Sequence, residues 1–142
     1  RGADRAAGAV PVNVAGPAGG TADRGSEPVA RRIAGIADEK GATDLVALDV
    51  RRLVGYTDFL VIGTARNERQ AKGIYDEVRR RMKDDGRLPA RVEGEREAHW
   101  VLVDYLDCVL HVFTPETRER YRLETLWGEA ERLDLGGERG AA

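Results

Sequence analysis

Two apolar runs separated by two residues form the clearest pattern in the chain, HWVLVDYLDCVLHVF at residues 99–113. This spacing predicts a β-hairpin with strands at 99–105 and 108–113, joined by Leu106 and Asp107. Because successive side chains on a strand point to opposite faces, one face should be almost wholly apolar and covered by a helix. The other face should carry Trp100, Leu102, Asp104, His111 and Phe113.

This mixed face is a candidate protein-binding surface, because aromatic anchors beside a few polar groups are typical of interfaces. Trp100 is the predicted anchor, and Asp104 is expected to accept hydrogen bonds from the partner. The pattern leaves one alternative open: Trp100 and Phe113 belong to the core, and Asp104 only fixes the turn. A further apolar cluster at Tyr121, Leu123 and Trp127 could anchor a partner too, but packing is the favoured interpretation of it.

The remaining segments predict an α/β domain, with a mixed β-sheet flanked by α-helices. A first helix should begin at Ser26, with Pro28 in its first turn, and end at Gly41. Apolar strands follow at 45–50 and 59–62, then a helix from Asn67 to Gly86 and a short helix at 116–121. The Ala-, Gly- and Pro-rich residues 1–26, and residues 136–142, are predicted to be disordered tails around one domain at 27–135.

The charge balance limits the classes of partner. The 142 residues include 23 Lys and Arg against 25 Asp and Glu, so extensive direct nucleic-acid binding is not expected. The outer face of the second helix carries Lys72, Asp76, Arg79, Arg80 and Lys83. An RNA-binding module that uses Arg79, Arg80 and Lys83 is one alternative, although a solvated face is favoured. The single cysteine and the lack of a bilayer-length apolar run predict a cytoplasmic protein without a membrane partner.

Catalytic and metal-binding patterns are weak. Glu93, Glu95 and Glu97 alternate as a two-metal site would require, but they lie in a charged loop where solvated carboxylates are the favoured interpretation. Cys108 and His111 are three residues apart on a strand, and therefore point to opposite faces. No cofactor, no metal and no enzymatic activity are expected. A magnesium-dependent nucleotidyltransferase built on the three glutamates is the enzyme alternative.

Several segments, in order along residues 28–133, resemble one known family. They are TDFLVI at 57–62, NERQ at 67–70, VEG at 92–94, AHWVLVDY at 98–105, HVF at 111–113 and ETRERYRLETLWGEA at 116–130. Together they are similar to the ribosomal silencing factors, also called the Iojap family. One departure is Leu106, where the family frequently has Gly; a positive φ there would be costly and would alter the hairpin loop.

The resemblance implies a nucleotidyltransferase-like fold without the catalytic residues of that fold. It further implies a translational repressor that binds ribosomal protein fourteen of the large subunit and sterically blocks joining of the small subunit. Relatives in organelles link the family to ribosome biogenesis, and free members are often homodimers. These properties are expectations for this chain, and the docking residues are predicted to be those of the mixed hairpin face.

Overall fold

The structure, a computed structural model, describes residues 19–135 and is built on one six-stranded sheet. The strands are β1 (Thr43–Asp49), β2 (Phe59–Thr64), β3 (Arg91–Glu93), β4 (Trp100–Asp104), β5 (Cys108–Phe113) and β6 (Glu131–Arg132). The helices are α1 (Gly19–Glu39), α2 (Glu68–Asp84), α3 (Pro115–Tyr121) and α4 (Leu123–Leu126). None of the helices in this part of the chain combines the length and apolarity that crossing a bilayer demands.

The sheet is mixed, as the sequence predicted. Its strand order is β3-β4-β5-β2-β1-β6, in which β2 and β5 run parallel and the other neighbours are antiparallel. Every residue of β2 and β5 is buried, because these central strands are covered on both faces. The continuous apolar runs at 59–62 and 108–113 are therefore explained by burial on two sides.

The start of α1 differs from the prediction. The helix begins at Gly19, not at Ser26, and Pro28 lies inside it. Ser26 is buried, and its hydroxyl donates a 2.5 Å hydrogen bond to Asp58 in the β1–β2 connection. This long-range contact holds the turn before Pro28 against the domain, which a local start signal cannot reveal. The predicted tail at 1–26 thus overlaps α1, while its residues 1–18, and the predicted tail at 136–142, lie outside the described residues.

Helix α2 has the ends that the sequence predicted. The Asn67 side chain accepts from the Gln70 backbone N–H at 2.9 Å, and the Gln70 side chain accepts from the Arg66 N–H at 2.7 Å. After the last turn, Gly86 has φ +85°, a conformation that costs glycine little. The side chains at helical spacing that were expected to face the core are buried: Ala71, Ile74, Tyr75, Val78 and Met82.

The hairpin has the predicted register, with Trp100 opposite Phe113 and Leu102 opposite His111. Its loop is the two-residue turn, closed by a 2.9 Å bond from the Tyr105 N–H to the Cys108 carbonyl. Leu106 has φ +76°, so the costly conformation is adopted and the loop is not lengthened.

Replacing Leu106 by Gly should relieve the backbone strain of this turn. Positive φ costs a residue with a side chain about 1–3 kcal/mol, whereas the extra unfolded-state freedom of Gly costs up to about 1 kcal/mol. We therefore expect the Leu106→Gly protein to be more stable than Leu106→Ala by about 1 kcal/mol in urea denaturation. The Ala variant is the matched control, since it removes the same side-chain contacts and keeps the strain. Equal stability of the two variants would show that the turn is unstrained.

Candidate protein-binding site

The two faces of the sheet are covered differently. The first face packs against α1 and α2, which bury the hairpin residues Val101, Val103 and Leu110. The second face has its own apolar cluster, formed by Leu48, Val50, Leu60, Ile62, Leu102, Val109 and Phe113. This cluster is covered by the segment after β5, through half-buried side chains that include Leu123 and Trp127. Among residues 19–135 no long helix packs on the second face, and Trp100 lies half-buried at the margin of its apolar cluster.

An aromatic patch, defined here as Trp100, His111 and Tyr121, lies at this margin. The Trp100 ring is half-buried, with its centroid 4.8 Å from that of Phe113 and 4.9 Å from that of Tyr121. Its indole N–H donates a 3.0 Å hydrogen bond to His111 Nδ1, so this nitrogen carries no proton in the described arrangement. The bond fixes the orientation of both rings, and Tyr121 remains 51% exposed.

Two residues predicted to contact the partner are inside the protein. Phe113 is fully buried and supports the Trp100 ring from below. Asp104 is 1% exposed, and its carboxylate accepts the Leu106 N–H at 2.8 Å, within the turn. For these two residues the structure has the alternative arrangement, in which Phe113 belongs to the core and Asp104 fixes the turn. Leu102 and His111 are each 7% exposed, so they contribute little surface beside Trp100.

Tyr121, which the sequence analysis named only as an alternative anchor, supplies the exposed ring. It is the last residue of α3, a helix with no buried side chain, and packing was the interpretation favoured for this region. That interpretation holds for Leu123 and Trp127, which pack against the second-face cluster. Tyr121 is the single large apolar side chain of α3, and this helix has no other apolar side chain of that size to place in the core. This feature of the sequence would have indicated that Tyr121 is exposed.

Arg118 holds α3 in place beneath Tyr121. Its guanidinium donates to the Asp44 carbonyl at 2.7 Å and to the Thr64 hydroxyl at 2.8 Å, and forms a 3.2 Å ion pair with Glu124. The side chain is only 12% exposed, so these bonds are largely shielded from water. These bonds tie α3 to β1 and β2, and so hold the helix end that carries Tyr121 against the sheet.

Glu93, from the enzyme alternative, and Cys108 and His111, from the metal alternative, have other neighbours. Glu93 forms a 3.1 Å ion pair with Arg91, and no three His, Cys, Asp or Glu side chains within residues 25–135 are grouped closely enough to hold a metal ion. Cys108 faces the first-face cluster while His111 faces Trp100, as their spacing predicted. Burial raises the pKa of the Cys108 thiol well above its usual value, which leaves it a poor nucleophile.

Comparison with known proteins identifies the family. The profile of the family described as "Ribosomal silencing factor during starvation" matches residues 23–141. The ribosomal silencing factor of Halalkalibacterium halodurans is 37% identical over 100 residues, which cover 70% of this chain and 86% of that protein. The Bacillus subtilis protein of the same name is 38% identical over 98 residues, covering 69% and 83% respectively.

The fold agrees with this relationship. A crystal structure of a protein from Chromobacterium violaceum superposes with a TM-score of 0.70 at 28% identity, covering 72% of this chain and 85% of that one. The sheet and the helices that carry the aromatic patch lie within the segment matched by the family profile. The chain is therefore a member of the ribosomal silencing factor family.

Proposed function

We propose that this protein is a translational repressor that binds the large ribosomal subunit through ribosomal protein fourteen and sterically blocks joining of the small subunit. Family membership supports the ribosomal setting. The aromatic patch is the observation that supports the mode of action, because it is a preformed anchor on a sheet face that no long helix of the described residues covers.

The chemistry of the patch suits a protein partner. A ring that is half-buried and stacked loses little conformational freedom on binding, and Trp and Tyr are enriched among the residues that dominate interface energies. A contact burying on the order of 1,600 Å² in total would suffice for specific docking. The patch would form its centre, and the polar side chains of α3 would lie at its rim.

Repression by obstruction needs only affinity and position. If the second face of the sheet is turned toward the large subunit, α1 and α2 cover the opposite face and project away from the contact. The body of the domain would then occupy space that the small subunit must enter. No catalytic group is required, which agrees with the engagement of Glu93 by Arg91.

Co-sedimentation with separated ribosomal subunits tests the proposal. The protein should pellet with the large subunit and not with the small one, and its addition should reduce the yield of joined ribosomes. Pre-bound protein should inhibit more strongly than protein added after joining. If no large-subunit binding occurs at near-physiological salt, the proposal fails, and magnesium-dependent nucleotide binding by calorimetry becomes the next measurement.

Replacing Tyr121 by Ala should weaken large-subunit binding by about tenfold, because a stacked interface aromatic contributes roughly 1–2 kcal/mol. The side chain is 51% exposed, so its loss should leave the stability of the domain almost unchanged. Leu88→Ala is the matched control, since Leu88 is 68% exposed but lies outside the patch, between α2 and β3. Equal binding by the two variants, measured with labelled protein and purified large subunits, would remove Tyr121 from the interface.

A cytoplasmic location, homodimerisation of the free protein and a role in ribosome biogenesis remain predictions. Homodimerisation can be checked by sedimentation equilibrium across protein concentrations. If the aromatic patch also forms the dimer interface, the Tyr121→Ala change should weaken self-association and ribosome binding together.

A further inference from the structure

The cations on the surface of α2 fall into two sets. The first set is neutralised by ion pairs: Arg81, which reaches α1, pairs with Glu39 of α1 and with Glu77, both at 2.7 Å. Arg80 also pairs with Glu77, at 2.6 Å, and with Asp84 at 3.7 Å. Hydrogen bonds from Arg80 and Arg81 lower the pKa of Glu77 to about 2.

The second set forms a basic stripe, defined here as Arg69, Lys72, Arg79 and Lys83. All four are exposed, and none forms an ion pair with a residue that the structure describes. Their spacing of three, seven and four residues places them along one line of the helix. Asp76 lies on the same line, so the five positions carry a net charge of +3.

The stripe faces away from α1 and from the aromatic patch. Arg81 reaches α1, whereas Glu68, on the opposite side of α2, reaches His99 just before β4 at 2.9 Å. Helix α2 covers the first face of the sheet, and the aromatic patch lies on the second. A ligand on the stripe therefore does not compete for space with a protein bound at the aromatic patch.

We infer that the basic stripe is a second docking surface, which binds the phosphate backbone of RNA. From Arg69 to Lys83 the helix rises roughly 21 Å, a length that spans several phosphates of one strand. Lys and Arg side chains without carboxylate partners gain by releasing counterions from RNA, while paired ones would first have to break their ion pairs. Arg79 is additionally held by a 3.1 Å hydrogen bond to the Tyr75 hydroxyl, which aligns its guanidinium on the stripe.

This inference goes beyond the proposed function, since it requires no contact at the aromatic patch. The chain as a whole has a net charge of −2, so the binding should be local and strongly weakened by salt. Four phosphate contacts correspond to a slope of roughly −3 in the plot of log affinity against log salt. A merely solvated helix surface would give no measurable affinity for RNA at near-physiological salt.

The test uses the full chain and a labelled RNA hairpin, with fluorescence anisotropy over a series of KCl concentrations. We expect the double variant Lys72→Gln/Arg79→Gln to bind roughly 30-fold more weakly at 0.1 M salt, with the slope reduced by about 2. The matched control is Arg80→Gln/Arg81→Gln, which removes the same charge from the same helix at two ion-paired positions. It should leave the slope unchanged.

Three results would overturn the inference. The first is the absence of salt-dependent RNA binding by the wild-type chain. The second is an equal loss of affinity in both double variants, which would indicate a response to net charge alone. The third is loss of large-subunit binding by the stripe variant with unchanged RNA affinity, which would indicate an acidic protein partner. Because naked RNA is the ligand, failure here is distinguishable from failure of docking at the aromatic patch.

Discussion

The Gly94→Ala protein should be less stable than the wild type by about 3 kcal/mol or more. Gly94 follows β3 and has φ +81°, a conformation that residues with a side chain rarely adopt. A Cβ atom at this position would also overlap the backbone carbonyl oxygen of Trp100, which cannot move without displacing β4. Both effects lower the stability of the variant. The positive φ strains the alanine backbone, and the added Cβ would push the turn away from β4.

Urea denaturation measures this loss as a lower midpoint with an unchanged m-value. Gly73→Ala is the matched control, because Gly73 lies within α2 and an added Cβ there has no atom within 4 Å. That variant should be as stable as the wild type or more stable by up to about 1 kcal/mol. Equal midpoints for the two variants would show that the loop after β3 accommodates the added Cβ without loss of stability.

The Gly94 contact also links the loop to the aromatic patch. Moving the Trp100 backbone would disturb the 3.0 Å bond between its indole and His111. We therefore expect the folded fraction of Gly94→Ala to show an altered Trp fluorescence spectrum, whereas Gly73→Ala should keep the wild-type spectrum. Such a result would show that the turn at Gly94 positions the Trp100 ring through the Trp100 backbone.

The hairpin and the mixed sheet were predictable because alternation and burial leave a direct pattern in the sequence. The register followed from the two residues between the apolar runs, and the structure confirms it even though Leu106 adopts φ +76°. The ends of α2 were predictable for the same reason. The side chain of Asn67 and the conformation of Gly86 act within one turn of the chain.

Features that depend on distant residues were not predictable in this way. The packing of α1 just before Pro28 includes the Ser26–Asp58 bond across 32 positions, and the placement of Tyr121 depends on Arg118 reaching Asp44 and Thr64. The edge strands β3 and β6 have three and two residues, too few for a period to be visible. The exposure of a side chain on an alternating strand depends on what covers that face of the sheet. The sequence pattern therefore could not show that Phe113 is fully buried and Trp100 only half-buried.

We expect the largest effect on binding from a change at Trp100. Replacing it by Ala should weaken large-subunit binding by about 30-fold or more, the equivalent of at least about 2 kcal/mol for a central aromatic anchor. The loss includes the Trp100 contact itself and the support that its ring gives to Tyr121 at 4.9 Å. It should therefore exceed the effect of Tyr121→Ala, which leaves the indole in place.

Because the Trp100 ring also packs on Phe113, its removal should destabilise the domain by about 3 kcal/mol. Binding must be compared at equal concentrations of folded protein. Val101→Ala is the control that separates the loss of stability from the loss of affinity. Val101 is fully buried, points to the opposite face of the same strand, and should cost about 2 kcal/mol without touching the patch. If Val101→Ala keeps its affinity and Trp100→Ala loses it, obstruction through the aromatic patch is supported. A folded Trp100→Ala protein that binds like the wild type would mean that docking uses another surface.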